Sequence, residues 1–427
     1  MTQPRRARGK AKVETLEPVR YSVAPGYASE LHVQTLPRAV CAVRKADAPQ
    51  DGDGLRVLAD DDGIVRLHVR PSNEHTDVAE LVIDAEADGK AVRVPLALRP
   101  SARATRDMPR PPARSRKPGR EGARVRPALE EREWLRMSDE ALSEAGYPLR
   151  PHPTEAPGAI NAWRRAVSTP TTIVEPRTVP HPELHHGAII TAGPATSNNW
   201  SGFELRGATG TYDWVTGMWN VPSVTGESNT HTYSAFWIGL DGDGVSDLVQ
   251  AGTEQENYNF NFLFFTISIS VYYAWTEFLP QQATEQEIGN FPVNPGDEIF
   301  CEVWMGNAGS GPTLSGAFGV LLLENLTTSE STTVYTPVGT SVVGGSEAVW
   351  IMERPSLGTA LTDLADYASA RMFNAYARRA NSARHRGYVP YQGANNLQIT
   401  MINGANTLST VTPIDAYSMR FDWQRFH

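Results

Sequence analysis

The chain has 427 residues, 40% of them hydrophobic and 20% charged, a composition typical of a globular protein with two or more domains. Its formal net charge of -9, from 48 acidic and 39 basic residues, argues against nucleic acid as the main partner. Cysteine is confined to Cys41 and Cys301, which fall in different predicted domains, so a disulfide framework is excluded.

The N-terminus is basic, but no apolar run follows it, so no Sec signal peptide is predicted. The most apolar stretch, Phe260 to Trp275, is shorter than a bilayer span and alternates apolar residues with Thr and Ser. That pattern predicts a strand rather than a transmembrane helix. The compartment stays unknown from these features.

Residues 1–14 are predicted to be a disordered basic arm. Residues 15–98 carry short alternating runs separated by turn pairs such as Asp88-Gly89, which predict a small antiparallel β-sandwich, with an immunoglobulin-like form as one option. We expect it to be a structural or targeting module. Residues 99–126 are rich in Arg and Pro and predict a solvated linker, with a tether to a polyanion or membrane surface as the alternative.

Residues 127–187 predict a helical segment followed by an extended connection, which could be a pro-region. Ser138 is a predicted N-cap for a helix from Asp139 to Ala145, and a second helix is predicted from Ala159 to Val167. His181, His185 and His186 lie beside prolines, without a helix to present them as ligands. We therefore expect an ordinary loop there and no zinc site.

From residue 188 to residue 427, charged residues become less frequent and short alternating runs recur between Gly and Pro turns. This texture predicts an all-β sandwich. Ala360 to Arg379 is the exception, because its texture is helical and suggests an insertion or a loop. The predicted strands are Gly217 to Val221, Ser234 to Gly239, Asp247 to Gln250, Ser270 to Phe278, Glu298 to Trp304, Gly316 to Leu323, Thr333 to Tyr335, Glu347 to Glu353, Gln398 to Ile402 and Ser418 to Trp423.

Two polar residues, Gln250 and Glu353, each close a predicted strand. A carboxylate can take a proton from water, and a carboxamide offers two N–H donors that never titrate. Taken singly, each is more often a solvated residue at a strand end. Common catalytic signatures such as Gly-x-Ser-x-Gly and His-Glu-x-x-His are missing, and Asp241 to Asp247 lacks the ligands of a calcium loop.

Eight short motifs occur in a fixed order, and together they resemble the glutamic peptidases, or eqolisins. The resemblance runs from about Asn198 to Glu353 and continues more weakly to the C-terminus. The motifs span Asn199 to Gly202, Trp219 to Pro222, Phe236 to Asp243, Leu248 to Gly252, Tyr273 to Pro280, Val293 to Asp297, Glu324 to Thr327 and Ala348 to Glu353.

This resemblance implies a concanavalin-like sandwich of antiparallel sheets with a catalytic dyad at Gln250 and Glu353 and no metal or organic cofactor. It also implies a polypeptide substrate and suggests secretion. From the charge balance and the short apolar runs we expect no nucleic acid partner and no membrane span, and we expect a monomer. Residues at matching positions that line or support the cleft are Trp200, Trp237, Asp241 and Glu277. Trp275 is a further candidate, with filling of the core as its alternative role.

The sequence also departs from the family pattern. Val349 replaces the usual Glu, Arg354 replaces an acidic residue, Phe278-Leu279 replaces an aromatic pair, and the cysteines that flank the family's loops are missing. These changes bear on specificity, loop geometry and acid tolerance.

Three hypotheses follow. The first is a glutamic-type endopeptidase, and the second is a lectin-like sandwich that binds glycans or peptides without cleaving them, since Trp and Asp side chains suit sugars. Retention of both Gln250 and Glu353 favours the peptidase, because a binder needs neither as a pair. The third gives the N-terminal half a role as an inhibitory pro-region or an anchoring module.

Overall fold

The computed structural model describes residues 13–49, 54–101, 124–227, 230–306, 318–336, 343–380 and 387–427. Residues 1–12 of the basic arm and 102–123 of the Arg/Pro segment lie outside this range, so those parts remain predictions from composition. The prediction is wrong at the described ends of both segments, because residues 13–14, 99–100 and 124–126 lie in strands and Arg126 is buried. The chain forms two compact units. The first comprises Met1–Pro112, Ser228–Thr230 and Asn257–Val271, and the second comprises the remaining residues.

The N-terminal strands of the first unit form one sheet in the order β1-β8-β7-β4-β5, with β2 also paired to β8. Strands β1 and β2 run parallel to β8, so this sheet is mixed rather than purely antiparallel as predicted. The strands of residues 13–100, including β3 and β6 that lie outside this sheet, are β1 Val13–Thr15, β2 Val19–Val23, β3 Ser29–Gln34, β4 Val40–Lys45, β5 Leu55–Leu58, β6 Ile64–Pro71, β7 Ala79–Ala87 and β8 Lys90–Pro100.

Strands β3 and β6 form an antiparallel pair, and residues 267–270 add a third strand on the other edge of β6. Val65, Leu67 and Val69 alternate along β6 and are fully buried, which is the pattern of a strand with one face in a core. The sequence did not predict that a distant stretch, residues 257–271, belongs to this N-terminal unit.

The second unit begins with short elements that precede its large sheets. The predicted cap is confirmed, because the Ser138 hydroxyl accepts a hydrogen bond from the Ala141 amide. None of the helices in the described residues is long and apolar enough to cross a membrane. These elements are β9 Arg124–Arg126, α1 Glu131–Trp134, α2 Asp139–Glu144, α3 Pro157–Val167, β10 Thr171–Ile173, β11 Thr178–Pro180, β12 Leu184–His185, β13 Thr191–Gly193 and β14 Thr196–Ser197.

The rest of this unit is almost entirely β-strand, and two of its long strands continue into residues 257–271 of the first unit. The helical expectation for Ala360 to Arg379 is wrong, because this stretch forms strands. The strands are β15 Trp200–Arg206, β16 Tyr212–Asn220, β17 His231–Asp241, β18 Leu248–Asn261, β19 Thr266–Leu279, β20 Gln286–Pro292, β21 Glu298–Gly306, β22 Phe318–Asn325, β23 Glu330–Tyr335, β24 Glu347–Glu353, β25 Ser356–Leu357, β26 Ala360–Leu361, β27 Asp363–Leu364, β28 Ser369–Arg379, β29 Tyr388–Pro390, β30 Asn396–Asn403, β31 Asn406–Asp415 and β32 Ser418–Trp423.

The strands from β15 onward build an antiparallel sandwich. In one sheet, β24 pairs with β15 and β17, and β19 pairs with β20. In the other, β16 lies between β21 and β28, followed by β22 on one side and β32 on the other. Strand β30 pairs with both β15 and β31, so it joins the two sheets.

The core lies between these sheets and contains alternate residues of their strands. Phe236 and Ile238 of β17, Val249 of β18 and Met352 of β24 all belong to it. Because successive side chains of a strand point to opposite faces, the residues next to these face away from the core. That alternation places Trp237, Gln250 and Glu353 on one common face of the sheet.

A buried ion pair ties the helical segment to the second sheet. Arg126 donates to both carboxylate oxygens of Glu324 on β22, at 2.8 and 3.0 Å, and both side chains are almost fully buried. Arg126 also donates to the carbonyls of Gly146 and Ala166, which lie after α2 and in α3. One guanidinium therefore holds strand and helices together.

We expect Arg126→Met to lower the free energy of unfolding by roughly 3–5 kcal/mol, because it leaves Glu324 buried without its counterion. The double variant Arg126→Met with Glu324→Leu should recover most of that loss. Arg165→Gln is the matched control, since its pair with Glu298 is half exposed and should contribute little. Urea denaturation measures all three, and an equal loss for Arg126 and Arg165 variants would contradict this role.

Candidate active site

Glu353 is the last residue of β24, in the middle of its sheet. Its Cα partners across the sheet are Trp200 of β15 and Ala235 of β17, so backbone hydrogen bonds fix it on both sides. The side chain is 1% exposed. A carboxylate this deeply buried needs hydrogen-bond donors, because its desolvation is otherwise costly.

Two side chains supply those donors. Trp237 Nε1 donates to Oε2 of Glu353 at 2.9 Å, and Asn199 Nδ2 donates to Oε1 at 3.3 Å. Asn199 is itself positioned by the Ser197 hydroxyl, which donates to its amide oxygen at 2.8 Å. Burial raises the pKa of Glu353 above its usual value, while the neighbouring His186 ring and the Asn199 amide act in the opposite direction.

Gln250 lies on β18, which runs close beside β17. A Cβ on Gly252 would lie 2.5 Å from the Phe236 carbonyl oxygen and 2.4 Å from the Trp237 Cβ, so only glycine allows this approach. The Gln250 side chain is fully buried, and its Nε2 donates to the backbone carbonyl of His186 at 2.7 Å. The carboxamide thus already binds a peptide carbonyl.

His186 occupies the space between Gln250 and Glu353. Its ring stacks on Trp275, with centroids 3.7 Å apart and planes 11° from parallel. Nε2 lies 2.9 Å from Oε2 of Glu285, and Nδ1 lies 3.4 Å from Oε2 of Glu353. The two predicted dyad residues therefore meet around one residue of this chain's own extended connection.

The Glu277 side chain binds the same extended connection, through the His186 backbone and the His185 side chain. The His186 amide donates to Oε2 of Glu277 at 2.8 Å, and His185 Nδ1 lies 2.7 Å from Oε1. The hydrogen bond to Glu277 raises the pKa of His185, while burial opposes this rise. Glu277 thus contacts a bound peptide segment, as a residue that lines a cleft would.

Further carboxyl groups line the far side of the His186 ring. Glu254 on β18 and Glu285, which precedes β20, are fully buried. Burial, together with the charges of Glu285, Glu256 and Glu353, raises the pKa of Glu254 well above its usual value. The Tyr273 hydroxyl bridges Glu256 and Glu285 at 2.7 and 2.9 Å. The one proton of that hydroxyl is shared between two acceptor carboxyls.

His186, Glu254 and Glu285 are also the residues here that could hold a metal ion. One ligand atom from each lies within 4.8 Å of the others. Borderline divalent ions accept such imidazole and carboxylate ligands. In this structure the imidazole Nε2 lies within hydrogen-bond distance of Glu285.

The remaining predicted residues divide by location. Trp200 packs edge-on against Trp237 with centroids 5.1 Å apart, and Trp275 faces the bound histidine rather than the core between the sheets. Asp241 accepts hydrogen bonds from the amides of Gly345 and Ser346. It fixes the segment that enters β24, so it supports Glu353 from a distance.

The expectation of an ordinary loop at the histidines is wrong for His186. It is fully buried among acidic groups, and Leu184–His185 forms strand β12. The sequence signal available was only the position of these residues before the sandwich. Arg354 points away from the site, because its Nε donates to the Asn198 carbonyl at 2.7 Å.

Comparison with known proteins identifies the family of this chain. The family profile described as "Peptidase A4 family" matches residues 198–420. The chain belongs to the peptidase A4 family, the glutamic peptidases, which are hydrolases of the endopeptidase class. Aspergillopepsin-2 from Aspergillus niger is 29% identical over 208 residues, which are 44% of this chain and 66% of the fungal protein, just under two thirds of its length.

Solved eqolisin structures give only a weak structural match. Scytalido-glutamic peptidase with a transition state analog inhibitor is 19% identical, covering 53% of this chain and 98% of that one, with a TM-score of 0.41. SCP-B in a complex with the tripeptide Ala-Ile-His is 18% identical, with the same coverage and a TM-score of 0.38. The sandwich described above therefore stands on its own strand pairing.

The buried carboxyls predict that this peptidase A4 protein is more stable in mild acid than above neutral pH. Burial raises the pKa of Glu302 to about 8, and burial likewise raises that of Glu204 to about 7. A carboxyl whose pKa is higher in the folded state stabilises the protonated protein, and this contribution is lost as pH rises from about 4.5 through the folded value. Glu254 and Glu353 act in the same direction.

We expect the free energy of unfolding to fall by a few kcal/mol, on the order of 2–5, between pH 5 and pH 8. Urea denaturation of the Glu353→Gln variant measures this without self-digestion. Adding Glu302→Gln should flatten the slope, because Glu302 is fully buried and titrates in this window. A free energy that rises over the same range would contradict the raised pKa values of these carboxyls.

Proposed function

We propose that this chain is an endopeptidase that hydrolyses peptide bonds with Glu353 as general base and then general acid, and with Gln250 as the oxyanion donor. The observation that carries the proposal is the Gln250 Nε2 bond to the His186 carbonyl, 2.7 Å long, beside the buried Glu353 carboxylate. A peptide carbonyl thus lies where a hydrolase of this kind would polarise one.

The chemistry follows from the donors around Glu353. Oε2 is bonded to Trp237 Nε1, and Oε1 has only a long bond to Asn199, so Oε1 is the better acceptor for a water. The carboxylate takes a proton as that water attacks the carbonyl carbon. Gln250 Nε2 stabilises the negative charge that develops on the carbonyl oxygen. Glu353 then returns the proton to the leaving amine.

A polypeptide is therefore the proposed substrate. The binding-only alternative, a lectin-like sandwich, differs by giving no turnover at all. Secretion, which the resemblance suggested, and the expected monomeric state stay predictions.

Replacement of the dyad gives the first test. Glu353→Gln keeps the shape but removes the base, so kcat/KM on a denatured protein substrate should fall by roughly two to four orders of magnitude. Gln250→Ala removes the oxyanion donor and should lower it by about two to three orders. Glu302→Gln is the matched control, a fully buried carboxyl on β21 of the other sheet, and should keep its rate. Circular dichroism checks folding, and wild-type rates in both dyad variants would refute the assignment.

The pH profile gives the second test. The base must be ionised, and burial raises its pKa above the ordinary value, so kcat/KM should fall on the acid side through a limb above about pH 4.5. We therefore expect an optimum in mild acid, displaced towards neutral. Arg354 points away from the carboxylate, so Arg354→Gln should leave the limb in place. Activity that appears only above neutral pH would point to another catalytic group.

A further inference from the structure

The segment around His186 is bound in the manner of a substrate. Its carbonyl accepts from Gln250, its amide donates to Glu277, and its neighbour His185 lies in a short strand, β12, that pairs with β25. Main-chain bonds of this kind hold an extended peptide in register. His186 therefore occupies the position of the residue whose carbonyl the proposed dyad attacks, and the His186–Gly187 bond is the bond presented for cleavage.

The pocket that receives the His186 side chain has two distinct walls. One wall is the Trp275 ring, which stacks flat on the imidazole at 3.7 Å. The other is acidic, with Glu285 2.9 Å and Glu254 3.7 Å from Nε2. The His186 side chain and the three side chains around it are fully buried. We define this set, Trp275, Glu254 and Glu285, as the acidic pocket.

We propose that the acidic pocket makes this peptidase selective for histidine on the N-terminal side of the cleaved bond, and that its own His186–Gly187 bond is the first such substrate. This inference rests on the proposed function, since it assigns the substrate class to the same site.

The chemistry of the pocket separates histidine from its competitors. A flat ring is needed to stack on Trp275, and a buried N–H donor is needed to satisfy Glu285. Phenylalanine supplies the ring but offers the carboxyls no N–H donor, while glutamine and lysine supply donors without the ring. Glutamate would add a further negative charge to a buried acidic group. Among these side chains, histidine alone meets both requirements.

Cleavage at this bond balances as an ordinary hydrolysis. Water oxygen bonds to the His186 carbonyl carbon, and one water proton passes to Glu353. The C–N bond to Gly187 then breaks, and Glu353 gives the proton to the Gly187 nitrogen. The products are a chain ending in the His186 carboxylate and a chain beginning at the Gly187 amine, and no further reactant is needed.

The test uses the full chain and synthetic peptides that span residues 182–190, with position 186 occupied by His, Phe, Lys, Gln or Glu. Mass spectrometry locates each cut, and kcat/KM is measured at pH 5 in EDTA, so that no metal bridges the pocket. We expect the His peptide to be cut after position 186 at least tenfold, and up to about a hundredfold, faster than the others. Equal values across the series would overturn the proposal.

Pocket variants make the test specific. Glu285→Gln should reduce the His-to-Phe ratio of kcat/KM at least tenfold while the Phe peptide keeps its rate. Glu302→Gln, the buried control outside the site, should keep the wild-type ratio. A ratio unchanged in Glu285→Gln overturns the role of the pocket. If a denatured protein is cleaved without histidine preference, the proposed selectivity is refuted and the proposed peptidase activity is supported. If no substrate is cleaved, the proposed peptidase activity itself is refuted.

The chain's own bond supplies an independent measurement. Intact wild-type protein held at pH 5 should yield a fragment that begins at Gly187, and His186→Phe should yield it at least tenfold more slowly. The Glu353→Gln variant should yield none. Equal rates for wild type and His186→Phe, or an uncut bond in protein that cleaves the His peptide, would contradict the proposal.

Discussion

The hydrogen bond from Trp237 to Glu353 is the contact on which the site depends. A carboxyl group that is 1% exposed cannot stay ionised without donors, and Trp237 supplies the shorter of its two bonds, at 2.9 Å. Trp237 can reach Glu353 because β17 and β24 are hydrogen-bonded neighbours whose inner residues fill the core. The position of the carboxylate is thus a consequence of strand register.

The same register explains why the acidic groups gather on one face. Gln250 and Glu254 are four residues apart on β18, so alternation puts both beside the bound segment. Trp275 and Glu277 are two residues apart on β19 and lie on that face by the same rule. A sheet that presents so many carboxyls to one buried space repels itself unless protons or a cation enter. The imidazole of His186 lies in this space, with Nε2 2.9 Å from Glu285 and Nδ1 3.4 Å from Glu353.

The extended connection before the sandwich therefore has a role that its composition does not suggest. It places His186 among the dyad, the stacking tryptophan and the acidic pocket, with its backbone bonded to Gln250 and Glu277. Under our proposals, a free substrate has to compete with this segment for the same contacts. Under our proposals, hydrolysis after His186 removes the covalent tether that keeps the segment at high effective concentration.

Much of the sandwich could be predicted from sequence, because each alternating run buries one face. The β24 run ending at Glu353 and the β18 run containing Gln250 are examples, and the ordered motifs located both residues. Ala360 to Arg379 was misjudged, since Ala and Arg favour helices locally while pairing with β16 and β32 makes Ser369–Arg379 a strand.

The position of His186 could not be predicted, because nothing local distinguishes a loop histidine from one bound in a cleft. Its partners, Glu285 and Glu353, are 99 and 167 residues further along the chain. Asp241 was placed near the cleft by its motif, yet its carboxylate serves the backbone that leads into β24. Contacts between residues so far apart follow from tertiary packing alone.

The most direct test is the titration of the Glu353 carboxyl itself. Carbon NMR of protein with labelled glutamate, in the Gln250→Ala background and with a Glu353→Gln companion to assign the signal, follows this one group. The account predicts a pKa above 4.5 that coincides with the acid limb of wild-type kcat/KM. A carboxyl that titrates below its ordinary value, or far from the kinetic limb, would contradict the claim that Glu353 is the base.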